Sequence, residues 1–158
     1  MSKQQPTGLT WRLMRRMSTR VIRLVAAGRG PAKVVLVLTT TGRKSGLPRQ
    51  TPLQYEQVGD DYYIASARGP QADWFRNLQV DPHVEVLLQG RRFAAQAQAV
   101  TDPMRIADFL ALRLERHPLM VGLIMRLEGF PLRYTRNDLE KFAAGKALAV
   151  LHPLPQVE

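Results

Sequence analysis

Between residues 34 and 100 the chain repeats strand-length apolar or β-branched runs, most of them joined by connections of two to eight residues. Connections this short reverse the chain, whereas a parallel crossover needs a dozen residues or more. The runs at 34–41, 50–58, 62–67, 83–88 and 91–100 therefore predict an antiparallel sheet. Gly59-Asp60-Asp61 and Gln89-Gly90 supply two of the turns, and a further strand is expected at 129–135, giving about six. A sheet of many short antiparallel strands escapes exposed edges by curling into a barrel.

Helical spacing appears outside these runs. In 10–27 the apolar residues Trp11, Met14, Met17, Val21, Leu24 and Val25 recur at three- and four-residue intervals, separated by five arginines. This predicts an amphipathic basic helix with Thr10 as N-cap, stopped by the glycines of GRGP. Asp73 is expected to cap a short helix, DWFRNLQ, that Asp81-Pro82 closes. Further helices are expected at 103–116, at 119–128 after the interruption at Pro118, and at 137–144. The chain reads as one α+β domain over 1–158. Its parts are a loose tail (1–8), the basic helix, a barrel core with a helical insert (34–136), and a C-terminal helix and tail (137–158).

The charge of +10 lies in one place. Eleven basic residues precede the first acid, Glu56, while the rest of the chain holds 12 basic and 13 acidic residues. Such a concentration points to an anionic partner for the first third: phosphates, an acidic membrane or nucleic acid. Two readings of the basic helix stand, one packed on the core and one lying on an anionic bilayer. No apolar run reaches the ~18–20 residues of a membrane span, and the N-terminus lacks the pattern of a secretory signal. The expected location is the cytoplasm, with peripheral contact at the inner face of the membrane.

Common catalytic machinery is missing from the sequence. There is no cysteine, and His83, His117 and His152 are too dispersed for local metal-ligand spacing, so no metal site is expected. GxSxG, Walker and dinucleotide signatures are absent, and Asp60-Asp61 is better read as a turn. An enzyme of this composition would leave the chemistry to a bound cofactor.

The stretch LTTTGRKSGLPRQTPL (38–53) gathers Arg43, Lys44 and Arg49 around a glycine-rich tip. With hydroxyls from Ser45 and Thr51 and exposed backbone N–H groups, it forms a candidate anion cradle. A second cluster, IASARGPQADWFRNLQVDP (64–82), offers small residues (Ala65, Ser66, Ala67), the cation Arg68 and the flat face of Trp74. Trp74 and Phe75 are equally natural core anchors.

Taken together, LTTTGRKSG-x-PR-x-TPL, the strand ending in IAS (64–66) and DWFRNLQVDPHVEV (73–86) resemble the deazaflavin-dependent nitroreductase family. The resemblance spans roughly residues 30–100. It implies a split antiparallel β-barrel like the FMN-binding pyridoxamine-phosphate-oxidase fold, carrying the N-terminal helix and flanking helices. It also implies coenzyme F420, whose phosphate and polyglutamate tail are anionic, and hydride transfer to a hydrophobic electron-poor quinone, enone or nitro compound. By the same resemblance Arg43, Lys44, Ser45 and Arg49 belong to the cationic hairpin, and Thr51, Pro52 and Leu53 line the ring. Ala65 and Ser66 lie under the phosphate, and Trp74 and Asn77 close the site. Where many relatives carry Lys-Gly-Gly after the serine, this chain has Ala67-Arg68-Gly69, so Arg68 stands in for that cation. Tyr55, Tyr63 and Tyr134 are the candidates for a substrate wall. Competing readings are an FMN- or haem-binding barrel and a non-catalytic basic module for membrane or nucleic acid. Helical and hairpin-tip placement of the arginines, apart from the aromatics, argues against nucleic acid. Monomer and homodimer both remain open.

Overall fold

The computed structural model describes residues 19–24, 27 and 34–156. The expected tail at 1–8 and most of the helix at 10–27 lie outside the described residues. Seven strands form one antiparallel sheet: β1 (Val35–Thr41), β2 (Pro48–Gln54), β3 (Glu56–Val58), β4 (Asp61–Ser66), β5 (His83–Leu88), β6 (Arg91–Val100) and β7 (Ala147–Pro153). Their order is β2-β1-β5-β6-β7-β4-β3. The two edge strands, β2 and β3, are consecutive in the chain and separated by Tyr55 alone. An open, flat sheet cannot satisfy that connection, so the sheet curls until its edges meet at Tyr55. The fold is an α+β split barrel, as the hairpin spacing and the resemblance led us to expect.

Period-two alternation divides the side chains between an interior and an exterior. Inside lie Leu36, Leu38, Tyr62, Ile64, Val84, Val86 and Phe93. The helix α1 (Asp73–Val80) plugs the interior with Trp74, Phe75 and Leu78. Phe75 is fully buried, a burial that contributes ~1.5–3 kcal/mol. The exterior of β4, β6 and β7 carries Tyr63, Val100, Leu148 and Val150. It packs beneath α2 (Pro103–Arg116), α3 (Pro118–Leu127) and α4 (Arg136–Ala143). α4 is secured by a capping box between Thr135 and Asp138, whose carboxyl is held below its ordinary range chiefly by the Thr135 backbone N–H. Elsewhere on the exterior, Val21 and Ile22 of the helical residues 19–24 pack against Val37 and Leu87.

Four expectations need correction. The expected strand at 129–135 is a loop, and the C-terminal tail is instead β7, paired between β6 and β4. Burial of β7 on both faces removes alternation, and two alanines lower its strand propensity, so it carried no period-two signal. The expected strand 50–58 is broken at Tyr55 into β2 and β3. Asp73 is not the cap of α1: Ala72 holds that position, and Asp73 spends its carboxylate on Arg43.

Candidate functional site

The β1–β2 hairpin tip and α1 enclose a groove of about 480 Å³ lined by Arg43, Lys44, Ser45, Arg49, Thr51, Trp74 and Asn77, together with Gly42, Gln50 and Asp73. Two segments thirty residues apart in sequence are thus brought together. The contact is made by Arg43, whose guanidinium donates to Asn77 Oδ1 at 2.8 Å and to Asp73 Oδ1 at 3.0 Å. The Arg43 backbone N–H also donates to Asn77 Oδ1 at 3.2 Å, and Asn77 Nδ2 donates to Thr40 Oγ1 at 3.2 Å. Asn77 is 4% exposed and Thr40 is 1% exposed, so the Asn77–Thr40 end of this clamp is buried while the Arg43–Asp73 end reaches the surface.

The clamp divides the predicted cations. Arg43 is occupied by α1 and holds the hairpin in place. Lys44 and Arg49 are exposed, and neither has an ion-pair partner among the described residues; Arg49 reaches only Ser45 Oγ, at 3.4 Å. The groove's carboxylate, Asp73, is already paired with Arg43, which leaves a net positive field at its mouth. Gly42 keeps this tip compact: a Cβ there would stand 2.7 Å from Ser45 Oγ and 3.2 Å from the Leu47 carbonyl. A phosphate or carboxylate therefore fits the groove by charge, by donor type and by room. Trp74, 8% exposed, belongs mainly to the core, stacked edge-on against Phe75.

The residues of the second cluster face elsewhere. Ala65, Ser66 and Arg68 line a separate cavity of about 430 Å³ with Gln54, Gly69, Arg113 and Lys146, walled by Leu110, Val121, Ile124, Met125 and Phe142. Ser66 is buried and donates to the Gly69 carbonyl at 2.7 Å, so its hydroxyl shapes the turn. Strand β2 is common to both cavities, with Thr51 in the groove and Gln54 in the second cavity. At ~3.3 Å per residue these lie about 10 Å apart along the strand. Pro52 and Leu53 fall between them, Leu53 leaning on the barrel interior.

The three tyrosines do not form one wall. Tyr55 sits at the seam, edge-on to Tyr62 at 5.7 Å, and burial pushes its phenol above the ordinary range. Tyr63 stacks on Phe109 under α2, and Tyr134 packs on Phe130 beside a hollow of about 160 Å³. None lines the groove or the second cavity. Sequence reading missed Asp73 as the partner of Arg43, and it missed Arg113 and Lys146, because nothing local marks such distant pairings. Val121, Ile124 and Met125 of the second cavity's wall lie on the helix expected at 119–128. Among the described residues no group of three or more potential metal ligands occurs, and no helix is long and apolar enough to cross a membrane.

The family model described as F420H(2)-dependent quinone reductase matches residues 12–118, two thirds of the sequence. The chain belongs to this family. An F420H(2)-dependent quinone reductase of Mycobacterium tuberculosis is 40% identical over 68 residues, covering 41% of this chain and 46% of that protein. The match thus spans about half the length of that curated relative. Among solved structures, an F420-H2 dependent reductase superposes with a TM-score of 0.50 at 18% identity, covering 76% of this chain and 95% of the other. The haem storage protein HutZ of Vibrio cholerae superposes at 0.53 and 18% identity, covering 88% and 92%. At such identities the structural likenesses establish the split-barrel fold alone.

Proposed function

We propose that the chain is a reductase that uses the reduced deazaflavin coenzyme F420 and passes its hydride to an apolar, electron-poor acceptor such as a quinone, enone or nitro compound. The observation that carries this reading is the groove with two uncompensated cations, Lys44 and Arg49, on the hairpin that resembles the family's coenzyme site. Lys44, Arg49 and Ser45 would grip the coenzyme's anionic part, with Arg43 and Asn77 fixing the hairpin for them. Thr51, Pro52 and Leu53 give the ring a strand to lie along, toward Gln54 and the second cavity. The coenzyme supplies the hydride; the chain supplies grip and orientation, a proximity role. The apolar wall of the second cavity suits the acceptor.

The test is a fluorescence titration with the oxidised coenzyme, with FMN in parallel. Saturable binding of the deazaflavin is expected, weakened at least tenfold in the Lys44→Ala/Arg49→Ala double variant, about 1.4 kcal/mol. Binding of FMN alone would keep the fold and replace the cofactor. Binding of neither would end the reductase reading.

The same reading places the chain at an anionic bilayer through its basic first helix, from which lipid-soluble acceptors would arrive. Val21 and Ile22 turn toward the sheet, while Arg20 and Arg23 are exposed. Sedimentation with anionic vesicles is expected, and none with zwitterionic ones. Arg20→Gln/Arg23→Gln should reduce it by about 2 kcal/mol at low salt, roughly thirtyfold, at ~1 kcal/mol per basic residue near the surface. Equal sedimentation with both vesicle types would exclude an electrostatic contact.

A further inference from the structure

Helix α3 is apolar on every side. Its ten residues, PLMVGLIMRL, include one arginine and no other charge. A helix of that kind belongs inside a core, yet α3 buries only Val121 and Met125. The opposite side carries Leu119, Met120, Leu123, Ile124 and Leu127 within an arc of about 140°, at 3.6 residues per turn. Leu119, Leu123 and Leu127 are 88%, 58% and 80% exposed, and Met120 and Ile124 about half so. Leu132, 70% exposed, extends the patch past Gly122 and Arg126. At ~100 Å² of apolar surface per side chain of this size, the six expose roughly 400 Å². That is close to the ~450–500 Å² of non-polar area that each side of a standard interface contributes.

Charge says what fits there. Glu115, three residues before Pro118, and Arg126 stand toward opposite ends of the stripe. Both are exposed, and neither has an ion-pair partner among the described residues. Such a surface complements itself when turned about a two-fold axis: leucine meets leucine, and Glu115 of each copy faces toward Arg126 of the other. A bilayer matches it less well. An interfacial helix opposes its apolar face with a basic one, whereas the opposite face of α3 is in the core and Glu115 would meet anionic headgroups. The stripe also lies wholly beyond residues 12–118, the stretch shared with the family model.

We infer that α3 is the interface of a symmetric dimer, with a second copy of this chain laid antiparallel across it and Leu123 on the two-fold axis. Leu119 of one copy then meets Leu127 of the other, and Met120 meets Ile124.

Sedimentation velocity of the full chain over a hundredfold dilution series should show a monomer–dimer equilibrium. Leu123→Glu sets two carboxylates face to face on the axis and should weaken the dimer at least hundredfold. Near-UV circular dichroism should stay unchanged in that variant, since the side chain is exposed. Val80→Glu, at the exposed end of α1, should leave the dimer within twofold. The chain has no cysteine, so single introduced ones report the pairing. Leu123→Cys should give a disulfide-linked dimer on oxidation. Leu119→Cys and Leu127→Cys should cross-link poorly alone and well when the two variants are mixed. A monomer at every concentration overturns the inference. So does a dimer that survives Leu123→Glu, which would put the contact elsewhere, or efficient cross-linking of Leu119→Cys to itself, which would mean parallel helices. A monomer that sediments with anionic vesicles, and ceases to in Leu123→Glu, would assign the stripe to a bilayer and overturn it equally.

Discussion

Replacing Asn77 by leucine should lower the unfolding free energy by about 3 kcal/mol, read as a shift of the urea midpoint at unchanged slope. The size follows from what the amide does. Its Oδ1 accepts from both the Arg43 backbone and the Arg43 side chain, and its Nδ2 donates to Thr40. Leucine has about the right volume for the interior but makes none of these bonds, leaving the buried Thr40 hydroxyl and the part-buried Arg43 N–H without a partner. Each unsatisfied buried group costs ~1–3 kcal/mol, and two are created here. Asn77→Asp keeps both contacts: it still accepts from Arg43, and the Thr40 hydroxyl can turn to donate to the carboxylate, so it should cost less than half as much. A double-mutant cycle with Thr40→Val should then show strong coupling with Asn77→Leu and weak coupling with Asn77→Asp. Additivity throughout would mean that the clamp is not a unit. The variant should also weaken coenzyme binding beyond its effect on stability, because Lys44 and Arg49 depend on the hairpin's position over α1.

The contrast between Asn77 and its partners shows which parts of this molecule were legible beforehand. Cations crowded on one glycine-rich turn are a local property, and Lys44 and Arg49 stand where sequence reading puts them. Arg43 sits in the same turn, yet its role depends on a residue thirty-four positions away that turns carbonyl and amide into the gap. No spacing rule within one hairpin can announce that. The strands of the hairpins were legible because one face is apolar and the turns are short. β7 was not, since burial on both faces erases the alternation on which a strand is recognised. The seam at Tyr55 was hidden for another reason. A single continuous run from 50 to 58 reads as one strand until the sheet closes on itself and obliges the chain to change partners there. The helices α2, α3 and α4 were visible as helices. The cavity they make with β4 is a product of packing, so Arg68 could be counted as a cation but not given its surroundings.

Those surroundings depend on one glycine, and Gly69→Ala should destabilise the fold by about 3 kcal/mol. Gly69 has φ +60°, and a Cβ built on it would lie 2.9 Å from the Gly145 carbonyl oxygen. The left-handed conformation costs an L-residue ~1–2 kcal/mol. The clash is with backbone, which no rotamer change relieves, and adds a comparable amount as strain. Gly145 provides the internal control. Its φ is +78°, but nothing lies within 4 Å of its would-be Cβ, so Gly145→Ala should cost only the conformational ~1–2 kcal/mol. The difference between the two variants isolates the close approach of the two turns. That approach also joins both ends of the second cavity, since Ser66 bonds the Gly69 carbonyl and Lys146 follows Gly145. Gly69→Ala should therefore move Arg68 relative to the cavity wall, while Gly145→Ala leaves its place nearly unchanged. Equal stability losses in the two variants would mean that the turns separate freely, and the cavity's rim would then be held by α4 alone.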